Sequence, residues 1–158
     1  MGEAIELAAL FRRDLGRLVQ EVEAFSAENA LWETRPGVTN SAGNLALHIE
    51  GNLRDFVGRQ LGGLDYLRQR EVEFSAREVP AAELIRRLNE VQEMVYGTVA
   101  LLTTAQLEEV YPMNVLGVEI STRQFLLHLY GHLSFHLGQV DYLRRIVTGE
   151  GALKFVRL

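Results

Sequence analysis

Three of the four histidines in this chain, His128, His132 and His136, fall within nine residues. On a helix their four-residue spacing turns each ring by about 40° relative to the one before. Neighbouring pairs therefore share a face, and two imidazoles one turn apart are a common way to present nitrogen to a divalent cation. Either pair, His128 with His132 or His132 with His136, meets that requirement. The fourth, His48, lies between Leu45 and Ile49, apolar positions that turn it toward a core. A lone buried histidine is more often a hydrogen-bonded core residue than a ligand. A facing helix that brings His48 to His132 and His136 would make it a third nitrogen. Three neutral imidazoles leave a cation its full charge and at least one open position, which suits a bound water or substrate atom. Imidazole accepts zinc, nickel, copper and iron alike.

Something must hold those rings, and the chain is helical in period almost throughout. Ile5, Ala8, Phe11, Leu15, Leu18, Val22 and Phe25 predict a first helix over about Glu3 to Asn29. The Pro36-Gly37 turn interrupts a linker. Asn40 or Ser41 then caps a second helix that stops at Gly62-Gly63, with Leu45, His48, Ile49, Asn52, Phe56 and Leu61 facing inward. The charged stretch from Leu64 to Val79 reads as a long connection with one helical turn. Pro80 opens a third helix carrying Leu84, Leu88, Val91, Val95 and Val99. Thr103 with Gln106, and Ser121 with Gln124, read as capping boxes, and Gly149 ends the last helix. Four long amphipathic helices with long connections make an all-α four-helix bundle with crossovers the expected fold. The tail Ala152–Leu158 is expected to pack back on the body or on a partner.

Composition narrows the classes of function. A chain of 158 residues with 47% hydrophobic residues suits one domain, residues 1–158. There is no cysteine, so zinc ribbons and thiol nucleophiles are excluded and any metal must be held by His, Asp or Glu. A net charge of −5 argues against a nucleic-acid surface. No apolar run approaches the roughly 20 residues of a membrane span. With no secretory pattern at the start, a cytoplasmic protein is expected.

Two segments, Asn40-Ser41-Ala42-Gly43-Asn44-Leu45-Ala46-Leu47-His48 with Gly51-Asn52, and His132-Leu133-Ser134-Phe135-His136-Leu137-Gly138-Gln139, resemble the signature regions of the DinB/YfiT-like superfamily. The resemblance implies a DinB-like four-helix bundle with long crossover connections. It also implies a three-histidine divalent metal site, usually zinc or nickel, mapped onto His48, His132 and His136. His128 then falls outside the ligand set, next to it. Asn44 and Asn52 flank His48 at i−4 and i+4 and share its helix face. With Gln139, three residues after His136, they are candidates to orient the ligands from behind. Gly131 and Gly138 are expected where a neighbouring helix comes close. Glu50 and Asp55 are candidate acid–base groups expected on a solvated face. Tyr130 is expected in packing, and Trp32, Tyr66, Phe74 and Tyr111 in loops.

The resemblance further implies a metal-dependent enzyme acting on a small molecule, a thiol-dependent transferase with hydrolysis as the close alternative. The reading from a different class is a non-catalytic metal-binding or sensing bundle. No residue is identified as catalytic. A homodimer is expected from Leu7, Leu10 and Leu18 on the first helix and Leu126, Leu129 and Leu133 on the last, more apolar surface than one core absorbs.

Overall fold

The computed structural model describes residues 2–115 and 117–155, so the last three residues of the tail lie outside the described residues. Helix α1 spans Glu3–Glu23, and the short α2 spans Glu28–Leu31. The continuous helix predicted to Asn29 is therefore broken. Phe25 and Leu31 are both buried on either side of the break, and burying both outweighs local helix propensity. Pro36-Gly37 makes the expected turn, with Gly37 at φ 81° and Val38 N–H donating to Arg35 O at 2.9 Å.

Ser41 caps α3, Ala42–Leu53, its Oγ accepting from Asn44 N–H. The helix continues through a π-helical stretch, Arg54–Arg59, into α4, Gln60–Gly62, and stops where Gly63 turns left-handed at φ 68°. The single helical turn expected in the charged connection is α5, Arg70–Ser75. Helix α6, Ala81–Ala100, buries Leu84, Leu88, Val91, Val95 and Val99 completely. Thr103 and Gln106 form a reciprocal capping box on α7, Thr104–Glu108. Helix α8, Thr122–Thr148, starts at Ser121 and ends at Gly149, φ 75°. Between α7 and α8 only isolated bridges form, and there is no strand among the described residues. Among those residues no helix is long and apolar enough to cross a membrane.

Helices α1 and α3 each pack on both α6 and α8 and face one another across the diagonal. The 24–41 and 101–121 connections therefore cross the bundle, whereas the 63–80 connection joins neighbours. That ring order sets α3 against α8, the two helices that carry the histidines.

Two polar networks lie inside this core. Asp14 is buried and takes hydrogen bonds from Arg13, Arg17, the Tyr130 hydroxyl (2.9 Å) and the Ser134 hydroxyl (3.1 Å). Burial opposes its charge, but these donors outweigh burial and hold its carboxyl below the usual range. Tyr130 thus joins α1 to α8 and takes no part in the histidine cluster. Arg144, fully buried, pairs with the equally buried Glu21 and donates to Gly151 O at 3.0 Å, which fixes the start of the tail.

Several expectations are corrected. Glu50 and Asp55 are buried, not solvated; Arg54 and Arg59, each one turn further on, supply their hydrogen bonds. A Cβ at Gly131 or Gly138 would meet nothing, so no helix of this chain approaches them. Leu7, Leu18, Leu126, Leu129 and Leu133 are absorbed by the chain's own core. The apolar residues that α8 leaves exposed are others, Leu127 and Phe135 among them.

Candidate metal centre

The four-residue step places His132 and His136 on the α8 face turned toward α3, and His48 meets them from the middle of α3. One ring nitrogen from each lies within 4.8 Å of the other two. His132 Nε2 is 3.2 Å from His48 Nε2 and 3.1 Å from His136 Nε2. The His48 ring stands edge-on to both of the others, at 75° and 87°. His128 is exposed and stacks on Phe125 with centroids 5.8 Å apart; its nitrogens do not join the cluster.

The other ring nitrogens fix where the protons sit. His48 Nδ1 lies 2.9 Å from Glu73 Oε2. Arg68 Nη2, a donor only, also lies 3.3 Å from that nitrogen, but it donates to Glu73 Oε2 at 2.9 Å; the carboxylate is the nearer neighbour of the ring and only accepts, which favours the His48 proton on Nδ1 and the Nε2 lone pair in the cluster. His136 Nδ1 lies 2.6 Å from Gln139 Oε1, also an acceptor, with the same consequence. Two lone pairs therefore converge on His132. If its Nε2 carried a proton it could satisfy only one of them. Its Nδ1 is buried without a partner. Burial first, and then the neighbouring imidazoles, push the His132 pKa down to about 4, and burial lowers that of His136 as well. Three imidazoles with converging nitrogens, His48 buried and His132 and His136 half-buried, are the kind of donor set a divalent cation needs.

Glu73 is the residue sequence reasoning missed. It belongs to the charged connection, yet it is only 6% exposed. Arg68 donates to both its oxygens, at 2.7 and 2.9 Å. Burial works against its charge, but Arg68 and His48 outweigh it and hold the carboxyl below the ordinary range. Asn44 anchors the segment: its Nδ2 donates to Glu73 O and Ala76 O, both at 2.9 Å, while Arg77 and Ser41 donate to its Oδ1. Gly51 makes the room, because a Cβ there would stand 2.2 Å from Glu73 Oε1. Two signals in the sequence pointed this way. A connection of this length in a compact domain is more often functional than idle. A glycine inside a helix, three residues after a histidine, costs about 1 kcal/mol against alanine and so needs a reason.

Phe74 follows Glu73 and lies against the His48 ring, centroids 4.9 Å apart. Trp32 packs on Gly43, and Tyr111 donates to Phe56 O. Asn52, buried one turn beyond His48, has no partner for its Oδ1. No Asp or Glu among the described residues joins the three nitrogens. His136 and Gln139 also border a cleft of about 440 Å³.

A sequence model for the family described as mycothiol-S-transferase matches residues 6–149. No curated protein matches the chain. Among solved structures, a DinB-like protein from Bacillus cereus ATCC 10987 superposes over 90% of both chains, with a TM-score of 0.69 at 17% identity. A conserved protein from Enterococcus faecalis covers 95% of this chain and 99% of its own, with a TM-score of 0.72 at 17% identity. At that identity the likeness is one of fold.

Proposed function

Because this chain belongs to the mycothiol-S-transferase family of the DinB/YfiT-like superfamily, we propose that it is a metal-dependent transferase of a low-molecular-weight thiol. In this reading His48, His132 and His136 hold zinc or nickel. The observation that carries it is the convergence of three Nε2 atoms whose protons have been drawn off to the far side of two of the rings. A divalent cation there supplies a Lewis acid that favours the deprotonated thiol at neutral pH. The chain's own residues aim the ligands: Glu73 keeps the proton on His48 Nδ1, Gln139 keeps it on His136 Nδ1, and Arg68 and Asn44 hold Glu73 in place. Residues 1–158 act as one domain. A free thiol co-substrate persists in reducing compartments, which supports a cytoplasmic location.

The test is elemental analysis of freshly purified protein together with transfer of mycothiol to an alkyl halide. About one zinc or nickel per chain is expected, with activity lost on chelation and restored by the metal. Undiminished activity in metal-free protein would overturn the reading. One observation favours a second reading, a non-catalytic metal-binding or sensing bundle: among the described residues no carboxylate joins the nitrogens to move a proton. That reading predicts bound metal and neither transfer nor hydrolysis.

Gly51→Ala should lower metal affinity about 10- to 100-fold, the usual effect of displacing a group that orients a ligand. Helix propensity alone would favour the alanine by about 1 kcal/mol. A fall in affinity without loss of helix content therefore isolates the displacement of Glu73. Calorimetric titration of metal-free protein measures it, and unchanged affinity would remove Glu73 from the site.

The homodimer also belongs to this proposal, on a different surface from the one expected. Leu127, Gly131, Phe135 and Gly138 form an exposed strip along α8, and its two glycines would let a second helix approach closely. Light scattering should give twice the mass of one chain, and Phe135→Asp should reduce it to one.

A further inference from the structure

We propose that the cleft between the 37–40 turn and the second half of α8 is the acceptor site, and that it takes an uncharged, elongated, apolar electrophile. The assignment of an electrophile rests on the transferase reading above, whereas the preference for an apolar ligand rests on the cleft alone. The cleft's volume of about 440 Å³ is in the range of small-molecule sites. Val38 and Leu45 line it from the turn and α3, and Tyr142, Leu143 and Ile146 from α8. No Asp, Glu, Lys or Arg is among its lining residues. Thr39, Asn40 and Gln139 supply uncharged polar groups, but away from the histidines a charged group would find no opposite charge to offset the water it loses, which is unfavourable.

Two further features define the occupant. From His136 to Ile146 the wall follows α8 for ten residues, about 15 Å of helix axis. A ligand with its reactive carbon at the histidines therefore has room for a tail of that order. Tyr142 and Ile146 are 62% and 56% exposed, large apolar surface that a tail would cover. Arg145, beside this wall, lies over the Tyr142 ring at 4.9 Å and is paired with Asp141. The depression on the other flank, beside Phe74, is different in kind: Arg70, Glu71 and Ser75 line it.

In the transfer, the thiol gives its proton to solvent and its sulfur forms a bond to the electrophilic carbon. The carbon–halogen bond breaks and the halide leaves with the electron pair. The experiment uses the full metal-loaded chain, mycothiol, and benzyl chlorides with para methyl, propyl or pentyl groups. The acceptor KM should fall about two- to fourfold per added methylene until the cleft is full, with the thiol KM unchanged. A para carboxylate should raise the acceptor KM at least tenfold. Thr39 is exposed and lines the cleft away from the α8 strip, so Thr39→Asp tests the wall without disturbing the core or the strip. It should raise KM for the neutral series and lower it for a para-trimethylammonium acceptor.

A second measurement needs neither metal nor turnover. The unreactive para-alkylbenzyl alcohols, titrated into metal-free protein, should shift the backbone NMR resonances of Val38, Thr39 and Tyr142. A KM indifferent to chain length, or shifts confined to residues 70–75, would overturn the proposal. Shifts at the cleft with no transfer to any acceptor would overturn the transferase reading and support the cleft as an apolar ligand site.

Discussion

His132→Ala should leave the protein folded and unable to hold a divalent cation. His132 is the middle histidine of the three, its Nε2 3.2 Å from His48 Nε2 and 3.1 Å from His136 Nε2. Without it, two nitrogens on different helices remain. The loss in affinity should exceed the 10- to 100-fold that follows from disturbing a group behind a ligand. Melting curves give a clear readout. A cation at 100 times its Kd stabilises the folded state by about 2.7 kcal/mol. In a chain of this size that raises Tm by roughly 5–11 °C. The wild type should show that rise on adding zinc or nickel, and His132→Ala should not. Without metal the two should melt within a few degrees of each other, because the alanine also removes a buried nitrogen that has no partner. The same rise in both proteins would mean that the cation binds elsewhere.

Arg144→Met should have the largest effect on stability. Arg144 and Glu21 are each 0% exposed, and they pair across α8 and α1. Removing one partner of a buried pair costs about 3–5 kcal/mol, because the other charge stays buried without compensation. Tm should fall by roughly 6–20 °C. Glu21→Leu combined with Arg144→Met should recover most of the loss, since a well-packed apolar pair often equals a buried ion pair. Arg144 Nη1 and Glu21 Oε1 already lack hydrogen-bond partners, which favours that recovery. If the double variant is no more stable than the single, the tail contact through Gly151 matters more than the charges do.

The helices, most caps and the three histidines were legible in the sequence because each is a local signal. The stripe on α6, the capping box at Thr103 and the glycines after α4 and α8 each declare themselves within a few residues. What was not legible depends on which faces neighbours cover. Glu50 and Asp55 looked solvated because charged residues usually are. Their partners, Arg54 and Arg59, stood one turn on in the same helix and could have been paired with them. The long 63–80 connection and the glycine at 51 hinted at a group beside His48, but only the path of that connection shows it to be Glu73. Gly131 and Gly138 marked an open face where a close helix was expected, and five of the six leucines expected at a dimer contact, all but the half-exposed Leu10, went into the chain's own core. Periodicity identifies the apolar side of a helix without saying what lies against it.

His48 and His132 are separated by 84 residues, and their helices come together only after the 101–121 connection has crossed the bundle. During synthesis the first imidazole leaves the ribosome long before the other two exist. No cation can template the early steps of folding through this centre, and the slow closure of distant contacts must come first. A metal ion would then act as a latch on a finished bundle, and cells short of that ion would accumulate an empty but folded protein.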